Sequence, residues 1–361
     1  MRSTIMSIPR LYLGTMTFGW SQTSSKVDET VALDMVNRFI AHNEQHGEPF
    51  HRIDTARIYA GGNTESIVGL VLPQVQTMSQ GSKLLVGTKA HPSRVGGLSR
   101  NGLESQLQAS MIGLGAMEFG NLEEYYLHQP DPEHSLLESL QVMHELVSNG
   151  VVNQIGLSNF HVREVERAFA LCAEHQWTPP SVYQGLYNPL NRAVESELLP
   201  LLQQNSCSFV AYNPLAAGLL AGKHHDLDKV QKGRFKDNPN YLPRFYTPAN
   251  FEAVDLIRKA CDEEGISMVE ATYRWLLRHS ALRETDGVLL GASSVKQLDE
   301  NLEACTAARE KGPLSDETLK AFDEAWKITK DGAFPYWRSF SADMPNRETL
   351  DQGAAYEASK K

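Results

Sequence analysis

An aspartate and a tyrosine stand close together after an apolar run in the stretch FHRIDTARIYAGGNTESIVG, residues 50–69. They are Asp54 and Tyr59, and two later apolar runs lead into Lys89 and His128. A carboxylate, a phenol, an ammonium and an imidazole can together hold a proton and transfer it to a substrate. These four residues form a candidate proton-transfer set.

The four side chains have complementary roles in such a set. A free tyrosine, with a pKa of about 10, is a poor acid at neutral pH, and a nearby ammonium favours the phenolate. We therefore expect Lys89 to lower the pKa of Tyr59, and Asp54 to neutralise Lys89, because an unpaired buried ammonium is costly. His128 would hold the substrate oxygen. Each residue taken alone has an ordinary alternative, because such an aspartate can form a turn, such a lysine can extend to solvent and such a histidine can be a packed core residue. The prediction therefore depends on whether the four side chains converge at one place in the fold.

Eight short apolar segments that could be strands alternate with amphipathic segments of helical periodicity. The predicted strands are residues 10–14, 50–54, 83–87, 124–128, 153–157, 181–185, 208–212 and 287–291. This alternation predicts one α/β domain, a (β/α)8 TIM barrel over residues 1–345 with βα-loop insertions and a C-terminal loop over the active site. Residues 346–361 are expected to form a polar, weakly ordered tail.

A doubly wound sheet is the alternative architecture. Such a sheet would bind a dinucleotide through a GxGxxG loop directly after its first strand. The chain has LGTMTFGW at that place, and its close glycine pair in GLGAMEFG, residues 113–120, follows a helical segment instead. A dinucleotide would therefore have to bind by another route.

Composition narrows the class of protein further. The chain has 361 residues, of which 41% are apolar, and a formal net charge of -10, which is typical of a globular protein and not of a nucleic-acid binder. No apolar run approaches the roughly 18 residues needed to span a bilayer, and the first residues lack the apolar core of a secretory signal. We expect a cytoplasmic protein with no membrane partner. The four cysteines form no CxxC pair and HExxH is absent, so no metal site is expected.

In a (β/α)8 barrel, functional side chains collect where strands end and βα loops begin. Asp54, Lys89 and His128 follow three consecutive predicted strands and should converge there. The other predicted strand ends carry Thr15, Met16, Thr17, Ser158, Asn159, Gln184, Tyr187, Tyr212, Asn213, Gly291, Ser293 and Ser294. One end of the barrel is thus predicted to hold the site.

These motifs, in this order, resemble the aldo-keto reductase superfamily from Leu13 to about Asn301. The matching segments are DTARIYAGGNTE, VGTKA, YYLHQPD, IGLSNF, AYNPLAAGLLAGK and GASSVKQLDEN. The run AYNPLAAGLLAGK with the following GRF, and the late Arg338, are most similar to the aflatoxin-aldehyde and succinic-semialdehyde reductase branch. The resemblance implies reduction of aldehydes and ketones by NADPH, with Tyr59 donating the proton and His128 orienting the carbonyl.

The resemblance also implies which residues contact NADPH or NADP+. The nicotinamide carboxamide would bind to the side chains after strands 5 and 6, its ring would stack on Tyr212, and the pyrophosphate would follow strand 7. The implied set is Met16, Ser158, Asn159, Gln184, Tyr212, Asn213, Pro214, Leu215, Gly218, Lys223, Arg234, Gly291, Ser293, Gln297 and Asn301. Residues 223–244 carry six Lys/Arg against three Asp, which favours an anion site. Many relatives have an arginine or lysine where this chain has Gln297.

Substrate contacts are implied at Tyr59 and His128 and at two arginines, Arg244 and Arg338, that resemble carboxylate-binding positions. An arginine fork suits a carboxylate, although both residues could equally form surface ion pairs. Candidate aromatic walls are Trp20, Tyr336 and Trp337.

Two other classes of function stay open from the sequence. One is a barrel lyase in which Lys89 forms a Schiff base. The other is a nicotinamide-binding regulatory subunit with little turnover. The expected partner is a small carbonyl substrate, and the resembling branch is often dimeric, which implies a homodimer.

Overall fold

The computed structural model describes residues 8–354, apart from 22, 24, 76–78, 116–120, 231–234, 237 and 239. Eight parallel strands pair in chain order, and β8 pairs with β1 to close the barrel. The strands are β1 Arg10–Gly14, β2 Phe50–Asp54, β3 Lys83–Ala90, β4 Leu122–Leu127, β5 Val152–Ser158, β6 Val182–Leu186, β7 Ser208–Tyr212 and β8 Gly287–Gly291. The predicted (β/α)8 barrel is confirmed, and the doubly wound sheet is excluded because it would have two open edges.

Helices surround the barrel and present one apolar face to it. They are α1 Glu29–Gln45, α2 Asn63–Val71, α3 Arg100–Gly113, α4 Leu136–Ser148, α5 Val162–His175, α6 Leu198–Gln204, α7 Leu242–Phe245, α8 Pro248–Glu264, α9 Met268–Arg278, α10 Val295–Glu310 and α11 Asp316–Thr329. In α5, Val165, Ala168, Phe169 and Cys172 are buried, at the three- and four-residue spacing of a helix face. Polar side chains cap many of the first turns, as Ser135 does for α4.

The barrel interior is filled by side chains that form the floor of the cavity above. They are Tyr12, Tyr126, Val182, Val210 and Leu289. The hydroxyls of Tyr12 and Tyr126 donate to the buried Glu124 at 3.0 and 2.8 Å. Burial raises the pKa of Glu124. The floor is therefore closed by packed rings and one satisfied carboxyl group.

The C-terminal residues return to the cavity end of the barrel as a segment that we call the strap, residues 336–354. Backbone bonds join its two halves, because Ala354 donates to Trp337 O at 2.9 Å and Arg338 bridges with Gly353. The polar tail expected from residue 346 thus contributes Gly353 and Ala354 to backbone pairing, and its weak order stays a prediction. Residues 355–361 lie outside the described part of the chain.

Asp343 anchors the strap to the first turn of α4. Its carboxylate accepts from Ser135 Oγ and Leu136 N, both at 2.8 Å, and from Arg167 Nη2 at 2.6 Å. Burial opposes the charged form, but the bonds from Arg167, the Leu136 backbone and Ser135 outweigh it and lower the pKa of Asp343 to about 2. A carboxylate at a helix N-terminus also complements the helix dipole.

We expect Asp343→Asn to lower the free energy of unfolding at neutral pH by about 1 kcal/mol, after allowance for solvent screening. Because the folded-state pKa is depressed, this stabilisation is present above the unfolded value near 4 and is lost as pH falls toward 2. Urea unfolding across this pH window measures it. The exposed Glu348→Gln in the same strap is the control, and equal effects of the two changes would contradict the anchor.

All four cysteines, Cys172, Cys207, Cys261 and Cys305, are buried, and none of them is in a disulfide. No group of three metal-binding side chains occurs among the described residues. Within the described ranges, the helices are all too short or too polar to cross a bilayer.

Candidate active site

A cavity of about 950 Å³ opens at the carboxyl end of the barrel strands. Its volume is that of a site for a cofactor or a large ligand. Its wall includes Met16, Ser158, Asn159, Gln184, Tyr212, Asn213, Pro214, Leu215, Gly218, Lys223, Gly291, Ser293, Gln297 and Asn301. The structure therefore brings together every residue of the implied cofactor set except Arg234, which lies outside the described residues.

Asp54 and Lys89 form a buried ion pair below the cavity. Lys89 Nζ donates to Asp54 Oδ1 at 2.6 Å and to Thr55 O at 2.8 Å, and Lys89 is completely buried. The pairing of β2 with β3 sets Asp54 opposite Gly87, two residues before Lys89, so both side chains project to the same side of the sheet. Gln184 Nε2 also donates to Asp54 Oδ1, at 2.8 Å. The predicted pairing of Asp54 and Lys89 is present in the structure.

Tyr59 lies near this pair and is followed by a turn in which three successive residues have positive φ. They are Ala60 at 45°, Gly61 at 68° and Gly62 at 103°, and α2 begins directly afterwards. The φ of Gly62 lies in a region that residues with a side chain rarely adopt, which favours glycine there. Lys89 Nζ lies 5.4 Å from the Tyr59 ring centroid.

The pKa of Tyr59 moves in the direction opposite to the one expected from the sequence. Burial raises it well above its ordinary value, the Asp54 carboxylate raises it further, and Arg338 opposes both. The ammonium of Lys89 is compensated by a carboxylate at 2.6 Å, and this leaves burial as the dominant effect on the phenol. Tyr59 is therefore protonated at neutral pH and can act as a proton donor.

His128 lies one residue beyond the end of β4 and is neutral. Burial lowers its pKa well below the ordinary value, and His91, Lys89 and Arg338 lower it further. Its ring meets the Tyr59 ring edge-on, with centroids 5.8 Å apart. A neutral imidazole beside a protonated phenol can orient a carbonyl oxygen without adding a charge of its own.

Sequence reasoning missed a second histidine in the wall. His91 follows β3 immediately, lies 5.1 Å from the His128 ring and accepts at Nδ1 from Ser93 Oγ at 2.8 Å. Burial, Arg338 and Arg94 lower the pKa of His91 to about 3. The rule that function gathers after barrel strands could have found it, because HPSR follows Lys89 in the chain.

Two implied cofactor residues are bonded to each other. Asn159 Oδ1 accepts from the Tyr212 hydroxyl at 2.8 Å, and Asn159 Nδ2 donates to His128 O at 2.8 Å. Asn159 has φ of 62°, a conformation that asparagine tolerates better than most residues. These bonds fix the Tyr212 ring at the cavity wall and tie it to the backbone of His128.

At the far end of the cavity, Gln297 occupies the donors that precede α10. Its Oε1 accepts from Ser293 N at 2.8 Å and from Ser293 Oγ at 3.0 Å. Backbone donors of this kind at a helix start are suited to anions. Asn301 Nδ2 donates to Gly291 O at 3.2 Å and holds the same loop.

The implied substrate residues are separated by the structure. Arg338 lines the cavity. Among the residues that the structure describes, Trp20 and Arg244 do not belong to the cavity wall. The Arg244 guanidinium lies 3.7 Å from the Phe334 ring centroid. Tyr336 and Trp337 also lie away from the wall, where the Tyr336 hydroxyl accepts from Val162 N and Trp337 Nε1 donates to Asp351 O.

A (β/α)8 barrel with a buried Asp–Lys pair, a protonated tyrosine and a neutral histidine beside one large cavity has the layout of a proton-transferring barrel enzyme. A model of the aldo/keto reductase family matches residues 10–327, and the chain belongs to that family. It is an oxidoreductase, as the family is.

Named relatives agree with this assignment. Rat aflatoxin B1 aldehyde reductase member 2 (Rattus norvegicus) is 36% identical over 342 residues, which cover 91% of this chain and 88% of the relative. Human aldo-keto reductase family 7 member A3 (Homo sapiens) is 36% identical over 298 residues, 79% of this chain and 87% of the relative. The oxidoreductase sirO of the fungus Leptosphaeria maculans is 31% identical over 336 residues, 91% of this chain and 97% of the relative.

Proposed function

We propose that this protein is a cytoplasmic, NADPH-dependent reductase that converts aldehydes, and ketones, to alcohols. The observation that carries the proposal is the protonated Tyr59 above the buried Asp54–Lys89 pair, with neutral His128 beside it at one cavity wall. The rat relative, an aflatoxin B1 aldehyde reductase by name, supports an aldehyde as substrate.

The wall residues fit a nicotinamide dinucleotide. Ser158, Asn159 and Gln184 supply amide and hydroxyl groups at the end of the cavity nearest Tyr59, and Tyr212 offers a fixed ring. When bound, the cofactor supplies the hydride for the carbonyl carbon.

The protein supplies placement and the proton. His128 orients the carbonyl oxygen, and Tyr59 donates its hydroxyl proton to that oxygen as negative charge develops on it. Lys89 then stabilises the phenolate that remains, and Asp54 holds Lys89 in position. Because Lys89 is fully buried and bonded to Asp54 and Thr55, its amine is poorly placed to attack a carbonyl, which disfavours the Schiff-base alternative.

Consumption of NADPH in the presence of 4-nitrobenzaldehyde, with formation of the alcohol, tests the function directly. Tight NADPH binding without turnover would instead identify the nicotinamide-binding regulatory subunit. Sedimentation of the same preparation tests the homodimer that the family resemblance implies.

Coenzyme choice is testable at Gln297. An arginine there would release the two Ser293 donors and add a cation beside the proposed 2'-phosphate site. We expect Gln297→Arg to lower the Kd for NADPH by about tenfold, as a charge-assisted hydrogen bond would, and to leave the Kd for NADH unchanged. Fluorescence titration with both coenzymes measures the ratio. Equal tightening of both would argue against a phosphate at this place.

A further inference from the structure

A buried carboxylate on α2 joins the loop that carries Tyr59 to the strand that carries Lys89. Glu65 belongs to the first turn of α2, and its side chain is completely buried. Its Oε2 accepts from Arg57 Nη1 at 2.7 Å, and its Oε1 accepts from Thr88 Oγ1 at 2.7 Å. We call these three side chains, Arg57, Glu65 and Thr88, the bracket. Through the bracket, α2 holds both the loop and the strand.

Both ends of the bracket lie next to the proton-transfer set in the chain. Arg57 lies between Asp54 and Tyr59, and Thr88 directly precedes Lys89. Because side chains alternate along a strand, Thr88 reaches α2 on the outside while Lys89 reaches Asp54 inside the barrel. Arg57 N also donates to Lys89 O at 3.2 Å. The position of Tyr59 relative to Lys89 therefore depends on contacts that Arg57 makes with both β3 and α2.

The backbone after Tyr59 needs such support. Ala60 has φ of 45°, in the left-handed region that residues with a side chain rarely adopt, and the two following glycines continue at positive φ. A conformation of this kind persists only where the surrounding structure holds it. Arg57 precedes the turn and Glu65 follows it, so their ion pair connects the two ends of the turn directly.

Burial makes the bracket sensitive to substitution. The Glu65 carboxylate is completely buried, whereas the Arg57 side chain is partly exposed. A buried carboxylate that loses its cation is costly, so Arg57 cannot turn toward solvent without destabilising Glu65. Among the described residues, the bracket does not belong to the cavity wall, whereas Ile58 and Tyr59 do. The bracket can therefore influence a bound molecule only through the residues that it holds.

We propose that Arg57 and Glu65 are positioning residues, which hold the Tyr59 hydroxyl where it can donate a proton and where Lys89 can stabilise the phenolate. The proposal rests on the proposed reductase function and adds two residues that would not contact the substrate. A reacting group that is displaced by about 1 Å can cost about 100-fold in rate, so small movements of the loop should be measurable.

The first test is kinetic. Arg57→Met should lower kcat for 4-nitrobenzaldehyde by about 10- to 100-fold and leave the Kd for NADPH within about twofold, because the proton donor moves and the coenzyme wall does not. Arg57→Lys should recover part of the rate, since it keeps the charge that Glu65 requires. Arg283→Met is the matched control. It removes the arginine partner of the buried Asp286, 3.0 Å away, at the opposite end of the barrel just before β8, and should keep kcat.

A double variant guards against loss of folding. Arg57→Met combined with Glu65→Gln removes both charges, so its free energy of unfolding should be higher than that of Arg57→Met alone. Its kcat should stay low, because the loop is still not tied to α2 by an ion pair. A double variant with kcat near that of the wild-type protein would overturn the proposal.

Amide hydrogen exchange tests the bracket independently of turnover. The amides of Arg57 and Tyr59 donate to Lys89 O and Ala56 O, so they are protected in the folded loop. Exchange in peptides that cover residues 55–62 should be faster in Arg57→Met than in wild type, and unchanged in Arg283→Met.

Three results would contradict the proposal: unchanged exchange in this loop, a near-normal kcat for Arg57→Met, or an equal loss of kcat in Arg283→Met. Failure of the wild-type protein to reduce the aldehyde would count against the reductase function itself. Faster exchange in Arg57→Met would in that case still show that the bracket orders the loop.

Discussion

Replacing Tyr59 by phenylalanine is expected to abolish measurable turnover while the coenzyme still binds. The ring and its edge-on contact with His128 would remain, so only the hydroxyl proton is lost. Loss of a positioned general acid costs about 10²- to 10⁴-fold in rate. Burial and Asp54 keep this hydroxyl protonated. Without it, the proposed mechanism has no other acid to protonate the carbonyl oxygen.

The measurement is single-turnover NADPH oxidation with a saturating aldehyde, together with the Kd for NADPH. Tyr125→Phe is a matched control, because this tyrosine lies on β4 and donates outward to Leu103 O, away from the cavity. We expect the control to keep near-normal kcat. A Tyr59→Phe protein with near-normal turnover would show that another group donates the proton.

The second large effect is expected at the buried ion pair. Asp54→Asn would leave the completely buried Lys89 ammonium without its charge partner, and breaking a buried pair costs about 3–5 kcal/mol of the free energy of unfolding. Lys89→Met would leave the Asp54 carboxylate with Gln184 as its remaining side-chain donor. We expect each variant to be strongly destabilised and nearly inactive.

A double variant separates stability from activity. Asp54→Asn combined with Lys89→Met removes both charges, so its free energy of unfolding should be higher than that of either single variant, because contacting residues are not additive. Its kcat should stay as low as theirs, since the ammonium that stabilises the phenolate is absent. Urea unfolding and steady-state kinetics on the three proteins measure this. Additive losses of stability would show that the two groups do not function as a pair.

The strand-end rule was enough to place the proposed proton-transfer cluster. Parallel strands that close into a barrel put their carboxyl ends at one edge, so Asp54, Lys89 and His128 had to converge once the eight strands were recognised.

The directions of the pKa shifts could not be predicted in the same way. The pKa of Tyr59 depends on how deeply the phenol is buried and on the distance between Lys89 and Asp54, and neither follows from residue types. The sequence indicated a lowered value because it counted the lysine and not the burial. His91 was missed for a related reason, since a loop residue can be assigned to the site only when the cavity that it faces is known.

Long-range contacts made the C-terminal residues hardest to predict. The stretch after residue 346 is polar in composition, yet the backbone of Gln352 accepts from Ser339 N and Ala354 donates to Trp337 O. Those bonds form only because the chain reverses direction, and no local sequence pattern predicts that reversal.

The strap has a consequence for how related proteins are compared. The family match ends at residue 327, whereas Arg338, Ser339 and Gln352–Ala354 form part of the cavity wall. The proposed proton-transfer cluster thus lies inside the matched part of the chain, whereas part of the cavity wall lies beyond it. We therefore expect two proteins with nearly the same barrel to differ in this wall through fewer than thirty residues at one end, counted from the end of the match to Ala354, with the proton-transfer cluster unchanged.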